Sequence, residues 1–498
     1  MNTAQRIGFF GGPLVFAAIL LYPVLFGLPA DMTSEMISVL AVISLMAIWW
    51  VTEAIPIPAT ALLPIALFPL LGVMKSADST IPYANHLIYL FIGGFFLAVT
   101  MEKWNLHKRI ALHTIRVIGT GPNRVILGFM LATGFLSMWV SNTATAMMMV
   151  PVGMAVITQV VNVLHDEGVK LNSDKFNFGT ALMLGIAYAA SIGGVGTIIG
   201  TPPNTVLVGV IEQQYGQTIS FAQWMAFGVP LSVTFLFLTW FLLTKVMLPP
   251  EIDRIPGGKE LINREIAKLG PISKEEIMVL VIFGIVAAAW IVRGFMTTPF
   301  VSDTTIAMIG AVSLFIIPSN FNEGKFLLDW QTAVKIPWGV VLLFGGGLAL
   351  TGGVSSSGLD VWLTGQFTLL NGLTLVVIIL IVTTAAIFLT EVTSNTATAT
   401  LLVPVMGTVA IAMSLNPLGP MIAAGVATSY AFMLPVATPP NAVVFGSGQV
   451  TIAQMAKVGL WLNLAGIALI TLFVMVFLQL IWGIDLNTLP AWATLATN

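Results

Sequence analysis

The sequence has few charged residues and no cysteine. Only 8% of its 498 residues are Asp, Glu, Lys or Arg, whereas soluble proteins average about 25%. This deficit excludes soluble enzymes and nucleic-acid-binding proteins, whose surfaces need many more charges. The absence of Cys excludes disulfide scaffolds, cysteine metal sites and thiol nucleophiles.

The hydrophobic residues, 57% of the chain, fall in long continuous runs. A membrane-spanning helix needs about 20 such residues in succession, so the sequence predicts an all-α polytopic membrane protein with about 11 transmembrane helices. The first run, 7–28, is too long for a signal peptide and is followed by no small-residue cleavage site. The predicted spans are 7–28, 36–52, 54–73, 86–101, 178–211, 222–247, 276–295, 303–318, 337–353, 420–447 and 452–482.

Two further apolar stretches, 123–163 and 372–413, are long enough to enter the membrane and return. Polar residues interrupt each stretch at its middle, which predicts two re-entrant hairpins. With both hairpins and a cytoplasmic N-terminus, every Lys and Arg except Lys75 and Arg293 falls on the cytoplasmic side. The positive-inside rule favours this topology, which has the C-terminus outside. We expect the protein in the inner (plasma) membrane.

Two motifs occur twice, once in each half of the chain. Ser-Asn-Thr-Ala-Thr-Ala is found at 141–146 and again at 394–399, and Thr-Pro-Pro-Asn is found at 201–204 and at 438–441. Such repetition indicates two copies of one structural unit. Because inverted-topology repeats bring their broken helices together near the middle of the membrane, a binding site is expected there.

The charges indicate that the two copies have opposite orientations. Segment 102–124 has several Lys and Arg residues, whereas its counterpart 355–377 has none. The sequence therefore predicts an inverted-topology repeat, with one hairpin entering from each side. The polar segment 248–275 joins the halves, and its mixed charges predict a cytoplasmic linker with a short amphipathic helix.

The repeated motifs have the chemistry of ion-binding helix breaks. Each Ser-Asn-Thr precedes a helix-forming run, so its side chains can cap that helix and the free N–H groups can face an anion. The prolines of Thr-Pro-Pro-Asn interrupt two further helices, whose unwound carbonyls can coordinate Na⁺. No Lys or Arg lies near any motif, so co-bound cations would neutralise a bound dianion. Alternatively, Ser-Asn-Thr only caps a helix or packs helices together. The presence of two symmetric copies makes this alternative less favoured.

Two acids lie near apolar segments. Glu391 lies three residues before Ser394, so it could influence the binding site or a proton step. The alternative is that Glu391 is a buried structural carboxylate. Glu53 precedes a helix break that it can cap. The histidines form no metal-binding spacing and are expected to be solvated. They are His86, His107, His113 and His165.

Together with Trp-Trp-Val-Thr-Glu-Ala-Ile-Pro at 49–56, the doubled motifs and the order of the spans resemble the divalent anion/sodium symporter family, the INDY-like dicarboxylate transporters. The resemblance implies a homodimer in which scaffold helices hold the dimer and a transport part moves across the membrane like an elevator. The implied division is 1–122 and 276–371 for scaffold helices, 123–247 and 372–498 for the two hairpins with their broken helices, and 248–275 for the linker.

The resemblance also implies the roles of individual residues. The substrate carboxylates would be held by Ser141, Asn142, Thr143, Ser394, Asn395 and Thr396, in a pocket lined by Thr201, Pro202, Thr438 and Pro439. One Na⁺ would bind at Ser137, Ser141, Asn142 and Gly200. The other Na⁺ would bind at Thr390, Thr393, Asn395 and Ala437.

The implied function is secondary active transport and not enzymatic catalysis. C4 dicarboxylates such as succinate, malate and fumarate would enter with Na⁺ as the coupling ion and with no other cofactor. The alternatives are a Na⁺-independent exchanger of dicarboxylates, 2-oxoglutarate or tricarboxylates, and a passive anion channel. Sulfate and phosphate are further candidate substrates. Exchangers of this family often have Arg directly after Ser-Asn-Thr-Ala, where this chain has Thr145 and Thr398, so cation coupling is favoured.

Overall fold

The computed structural model describes residues 1, 3–119, 121–166, 176–252, 254–255, 258–296, 301–367 and 372–494. Lys170 and Lys175, which the charge argument assigns to the cytoplasm, lie outside the described residues. Two short strands, β1 (Pro318–Asn320) and β2 (Lys325–Phe326), pair antiparallel. The α-helices in chain order are α1 (Thr3–Phe26), α2 (Ser34–Thr52), α3 (Ile57–Thr60), α4 (Leu63–Leu70), α5 (Ser76–Thr80), α6 (His86–Lys103), α7 (Leu106–Ile118), α8 (Pro122–Ser137), α9 (Asn142–Asp166), α10 (Asn177–Gly194), α11 (Pro202–Tyr215), α12 (Phe221–Phe241), α13 (Gly258–Lys268), α14 (Lys274–Arg293), α15 (Asp303–Ile316), α16 (Trp330–Ala333), α17 (Trp338–Ser357), α18 (Leu359–Phe367), α19 (Leu375–Thr390), α20 (Asn395–Ala412), α21 (Leu418–Ala427), α22 (Pro439–Gly446), α23 (Ile452–Leu472), α24 (Gln479–Trp482) and α25 (Ala491–Thr494).

Nine helical segments of the described chain are long and apolar enough to cross a membrane, and shorter apolar helices accompany them. The predicted all-α polytopic membrane fold is therefore confirmed. The predicted span 54–73 differs in detail, because it consists of the two short helices α3 and α4. Pro64, in the first turn of α4, has no N–H to donate to the preceding turn, so α3 cannot continue through it.

The two halves have corresponding elements around their motifs. The predicted hairpins are the helix pairs α8–α9 and α19–α20, each broken just before the asparagine of Ser-Asn-Thr. The spans predicted at 178–211 and 420–447 are the broken helices α10–α11 and α21–α22, each interrupted before Thr-Pro-Pro-Asn. Helices α12 and α23 follow, and each continues into a π-helical turn, at Leu242–Met247 and Phe473–Leu478. No pattern in the sequence indicates these π-helical turns.

The predicted linker contains the expected amphipathic helix, α13. It packs on α7, and its Ile262 is buried. At the end of the linker, Ser273 and Glu276 form a capping box at the start of α14. Arg109 of α7 donates to Glu276 over 2.7 Å and to the carbonyl of Gly270 over 3.1 Å. These contacts fix the linker against the first half of the chain.

Helix α10 lies at the centre of the molecule. Every residue from Phe178 to Gly194 is buried, and the helix contacts α8, α9, α12 and α22. Gly193 of α10 packs directly against the backbone of Gly134 in α8, where a Cβ atom on Gly193 would have no space. This close approach holds the first hairpin against the first broken helix, and so determines the geometry at the helix breaks.

Candidate functional site

A cavity of about 1040 Å³ lies where the four helix breaks meet. The tips of both hairpins and the starts of α11 and α22 all line it, although these motifs are far apart in sequence. Helices α1, α2, α3, α6 and α17 complete the wall through residues such as Glu53, Phe95 and Val340. The predicted site residues that line the cavity are Ser141, Asn142, Thr143, Gly200, Thr201, Pro202, Thr393, Ser394, Asn395, Thr396, Ala437, Thr438 and Pro439.

Ser137 and Thr390 are the two predicted site residues that do not line the cavity. Both are fully buried and lie in the last turn of α8 and of α19. Each is five residues before the asparagine of its hairpin tip and reaches that asparagine with its hydroxyl group. The structure therefore places both side chains behind the tips, away from the volume open to a substrate.

The first hairpin tip is organised around Asn142. Ser141 Oγ accepts a hydrogen bond from the N–H of Ala144 over 3.2 Å and caps α9. The Ser137 hydroxyl lies 2.5 Å from Asn142 Oδ1 and 2.7 Å from the Ala190 carbonyl. The same end of the Asn142 amide lies 3.2 Å from the Ala190 carbonyl and 3.3 Å from that of Gly200.

Several oxygen atoms therefore converge at this point of the structure. Asn142 Oδ1 faces the carbonyl oxygens of Ala190 and Gly200, which can only accept hydrogen bonds. Two arrangements satisfy such a cluster. Either the amide turns so that its NH₂ group donates, or a cation lies between the oxygens. Gly194 packs beside the cluster, since a Cβ atom there would lie 2.7 Å from Asn142 Oδ1.

The second hairpin tip repeats this arrangement with one addition. The Thr390 hydroxyl lies 2.7 Å from Asn395 Oδ1 and 3.1 Å from the Thr428 carbonyl. In addition, the Thr393 hydroxyl lies 2.6 Å from that of Thr398. The first half has Val140 at the position of Thr393, so the two candidate cation sites have different ligand sets.

Glu391 is a buried carboxylate next to the second tip, and it does not line the cavity. It accepts hydrogen bonds from the backbone N–H groups of Phe432, Met433 and Leu434. It also accepts one from Asn463 Nδ2 over 2.8 Å. These contacts favour the structural alternative for Glu391, because they tie α19 to the unwound segment after α21 and to α23.

The charge of the cavity wall is low. Among the described lining residues there is no Lys or Arg, and Glu53 is the one acidic side chain. Glu53 ends α2 in a left-handed conformation, with φ 48°, and so caps that helix as expected. Four helices, α9, α11, α20 and α22, begin at the cavity. The dipoles of these helices provide the positive potential that the side chains lack. Free N–H groups come from the first turns of α9 and α20, because α11 and α22 each begin with two prolines, which have no N–H.

The described histidine side chains are away from this site. His86 pairs with Glu212 over 2.7 Å and is half exposed. His113 is exposed, whereas His107 is only partly exposed and lies 3.1 Å from the Met101 carbonyl, and its burial lowers the pKa of the imidazole. The side chain of His165 lies outside the described residues.

Comparison with known proteins identifies the family. The profile described as "Sodium:sulfate symporter transmembrane region" matches residues 12–486, nearly the whole chain. The chain belongs to this family. It is a multi-pass membrane transporter and not an enzyme.

Two curated relatives within the family are similar over almost their full length. A protein of Staphylococcus saprophyticus named "Sodium-dependent dicarboxylate transporter SdcS" is 45% identical over 98% of this chain and 94% of its own. The protein of the same name from Staphylococcus aureus strain MRSA252 is 44% identical with the same coverage. At this identity and coverage, both relatives are expected to have the same arrangement of helices as this chain.

Solved structures of two transporters share the fold. The YdaH transporter of Alcanivorax borkumensis has a TM-score of 0.56 at 14% identity, covering 89% of this chain and 99% of its own. MtrF of Neisseria gonorrhoeae has a TM-score of 0.55 at 12% identity, covering 94% and 95%. At such low identities the likeness concerns the fold alone.

Sequence reasoning missed the carbonyl oxygens of Ala190 and Thr428, which meet the hydroxyls of Ser137 and Thr390. Every residue has a carbonyl group, so no side-chain pattern could identify them. It also assigned no role to the asparagines that end the two Thr-Pro-Pro-Asn motifs. Their duplication was a signal that could have singled them out.

Proposed function

We propose that the chain imports C4 dicarboxylates such as succinate, malate and fumarate together with Na⁺. The proposal is carried by the convergence of four helix N-termini on one cavity whose described wall has no Lys or Arg. Each helix N-terminus acts as about half a positive elementary charge, and the first turns of α9 and α20 also have free N–H groups, which favour anions. These are partial charges spread over the cavity wall, and bound Na⁺ would add full positive charges close to the substrate carboxylates. The names of the staphylococcal relatives support the same substrate class and ion.

In this proposal each hairpin tip holds one carboxylate of the substrate. Both tips are accessible from the cavity, and their hydroxyl, amide and backbone N–H groups are suitable donors. A dicarboxylate spanning the two tips would contact both repeats at once. The proposed substrate residues are Ser141, Asn142 and Thr143 with Ser394, Asn395 and Thr396, and the proposed pocket walls are Thr201, Pro202, Thr438 and Pro439.

We assign one Na⁺ to the oxygen cluster behind each tip. A small hard cation prefers oxygen ligands, and the first cluster brings together oxygens of Ser137, Asn142 and Gly200. Ser141 would complete that site through its hydroxyl or carbonyl group. The second site would use Thr390, Thr393, Asn395 and Ala437.

We infer the moving parts from the sets of helices that line the cavity. The cavity is lined by the hairpins and broken helices and also by α1, α2, α3, α6 and α17. We propose that the first group (123–247 and 372–498) moves as an elevator against a scaffold (1–122 and 276–371) that holds a homodimer in the plasma membrane. Ala4, Glu53 and Pro337, which line the cavity, belong to ends that we assign to the cytoplasm, so this conformation would open inward.

The test is uptake of labelled succinate into proteoliposomes that contain the purified protein. An inward Na⁺ gradient is compared with an equal K⁺ gradient, in vesicles that are empty or preloaded with succinate. Protein-free liposomes are the control. Import predicts uptake into empty vesicles with Na⁺ only.

Three other outcomes would contradict the proposal. Uptake only into preloaded vesicles, without regard to Na⁺, would identify an exchanger. Uptake that does not saturate and shows no counterflow would identify a channel. Na⁺-dependent uptake of labelled sulfate or phosphate that succinate does not inhibit would identify an inorganic-anion carrier.

A further inference from the structure

Asn204 holds the unwound segment between α10 and α11. The residue is fully buried in the first turn of α11. Its Nδ2 atom lies 2.8 Å from the Thr197 carbonyl, 3.2 Å from that of Val195 and 3.3 Å from that of Gly194. One amide group therefore contacts three carbonyls of the segment where the helix breaks. Trp224 Nε1 also donates to the Val195 carbonyl over 2.9 Å, and the Gly200 N–H donates to that of Thr197 over 3.4 Å.

Asn441 makes two of the three corresponding contacts in the second half. It is also fully buried, in the first turn of α22. Its Nδ2 atom lies 3.1 Å from the Ala431 carbonyl and 3.0 Å from that of Leu434. These are the positions that correspond to Gly194 and Thr197 when the two Thr-Pro-Pro-Asn motifs are aligned.

Both side chains act through their donor groups alone. Neither Asn204 Oδ1 nor Asn441 Oδ1 has a hydrogen-bond partner among the described residues, although both atoms are buried. A carbonyl without a partner is costly inside a membrane. The NH₂ group of each asparagine is thus one of the donors that stabilise the unwound backbone at this depth.

The segment held by Asn204 adjoins the first candidate cation site. A Cβ atom on Gly194 would lie 2.7 Å from Asn142 Oδ1 and 3.1 Å from the Gly200 carbonyl. Any shift of this turn would therefore move two of the proposed Na⁺ ligands. Neither Asn204 nor Asn441 lines the cavity, so neither touches the substrate.

We propose that Asn204 and Asn441 are positioning residues for the two cation sites, an inference that rests on the proposed Na⁺-coupled function. Each sets the distance between the unwound backbone and its hairpin tip, and so sets the size of the cation that fits. Loss of either donor should weaken Na⁺ binding and change the preference between Na⁺ and the smaller Li⁺. The affinity for succinate at saturating Na⁺ should change little.

The experiment compares Asn204→Asp, Asn204→Ala, Asn441→Asp and Asn441→Ala with the unmodified protein. Asp keeps the shape of Asn but replaces the donor group with an acceptor. Thr205→Val is the matched control, because Thr205 is buried in the same turn of α11 and donates over 3.3 Å to the Ile198 carbonyl. Succinate uptake into proteoliposomes is measured against Na⁺ and Li⁺ concentration, per amount of monodisperse protein.

We expect each Asn variant to raise the half-saturating Na⁺ concentration about tenfold, in the range typical for residues that orient metal ligands. The ratio of Li⁺-driven to Na⁺-driven uptake should change as well, which a purely structural role would not cause. Thr205→Val should leave both quantities unchanged.

Folded Asn204 and Asn441 variants with unaltered Na⁺ dependence and unaltered Li⁺/Na⁺ ratio would overturn the inference. So would an equal effect of Thr205→Val. If the Asn204 variants do not fold, the Asn441 variants decide alone, and each Ala variant replaces an Asp variant that fails. Na⁺-independent uptake by the unmodified protein would instead contradict the proposed function itself.

Discussion

The Ser137 hydroxyl lies 2.5 Å from Asn142 Oδ1, across the break of the first hairpin. The second hairpin has the same relationship, with 2.7 Å between the Thr390 hydroxyl and Asn395 Oδ1. In each case the last turn of one helix orients the first residue of the next. Because these hydroxyls do not line the cavity, they offer a way to test the cation sites without altering contacts to the substrate.

We predict that Ser137→Ala raises the half-saturating Na⁺ concentration for succinate uptake about tenfold. The substitution removes a proposed Na⁺ ligand and frees the Asn142 amide. The KM for succinate at saturating Na⁺ should stay within about twofold, since Ser137 makes no contact with the cavity. Uptake into proteoliposomes at graded Na⁺ concentrations measures both quantities.

Thr390→Ser is the matched variant in the second half and should keep Na⁺ dependence near that of the unmodified protein, because the hydroxyl remains. Thr390→Val removes that hydroxyl at constant shape and should behave like Ser137→Ala. An increase in the succinate KM without a change in Na⁺ dependence would place these side chains at the substrate instead.

Gly200→Ala should abolish uptake while leaving the protein folded. A Cβ atom at this position would fall against the Gly194 carbonyl and within 3.0 Å of the Ser137 carbonyl. The added methyl group therefore occupies the space between the proposed Na⁺ ligands. Gly284→Ala in α14 is the control, because nothing lies within 4 Å of its Cβ position. Equal uptake by the two folded variants would argue against a cation site at Gly200.

Glu391→Gln should lower stability by about 3 kcal/mol, since a buried charged acceptor loses several charge-assisted hydrogen bonds. Gln retains one oxygen, and its NH₂ group must then face the N–H donors of residues 432–434. The apparent melting temperature in detergent should fall relative to Glu323→Gln, which alters an exposed acid. An unchanged melting temperature, with uptake lost, would instead favour a direct role in transport or in a proton step.

The sequence identified the helix breaks because their residues are chemically unusual in an apolar context and occur twice. Pro202 and Pro439 cannot continue a helix, and the Ser-Asn-Thr tips could be recognised from their position within long apolar runs. The four helix breaks meet in one cavity, as the inverted-topology repeat predicts. The positions of α8–α9 and α19–α20 agree with the predicted hairpins to within a few residues.

What the sequence could not provide is the set of backbone contacts. The carbonyls of Ala190 and Thr428 acquire their roles only through the packing of α10 and α21 against the hairpins. The role of Asn204 depends on where the unwound carbonyls turn, which is a tertiary property. Glu391 could be singled out as an intramembrane acid, but its donors lie more than forty residues later in the chain.

Asp329 provides a pH-dependent contribution to stability outside the membrane-spanning helices. Lys103 Nζ donates to its Oδ2 over 2.6 Å, and the Thr332 N–H donates to Oδ1 over 2.7 Å. The hydrogen bond from Lys103 is the main reason why the pKa of Asp329 is lowered to about 2. Because the folded-state pKa lies below the unfolded value of 3.8, this contribution is fully present above about pH 4 and is lost as the pH falls towards 2.

Asp329→Asn isolates that ion pair, because Asn can still accept from Thr332. We expect it to lower the melting temperature at pH 6 by an amount equivalent to less than about 1 kcal/mol, as is usual for a partly exposed pair. The difference from the unmodified protein should shrink at pH 3. Melting curves in detergent at both pH values test this, and a difference that grows at low pH would contradict it.

The complete absence of Cys allows the predicted topology to be tested with single introduced cysteines. Arg116 in α7 and Lys75 before α5 are both exposed, and the charge distribution assigns them to opposite sides of the membrane. In intact cells a membrane-impermeant maleimide should label Lys75→Cys and not Arg116→Cys. Permeabilised cells should label both variants, which controls for reactivity. The reverse pattern would mean that the cavity bordered by Ala4 and Glu53 opens outward, and the direction of every proposed conformational step would then be inverted.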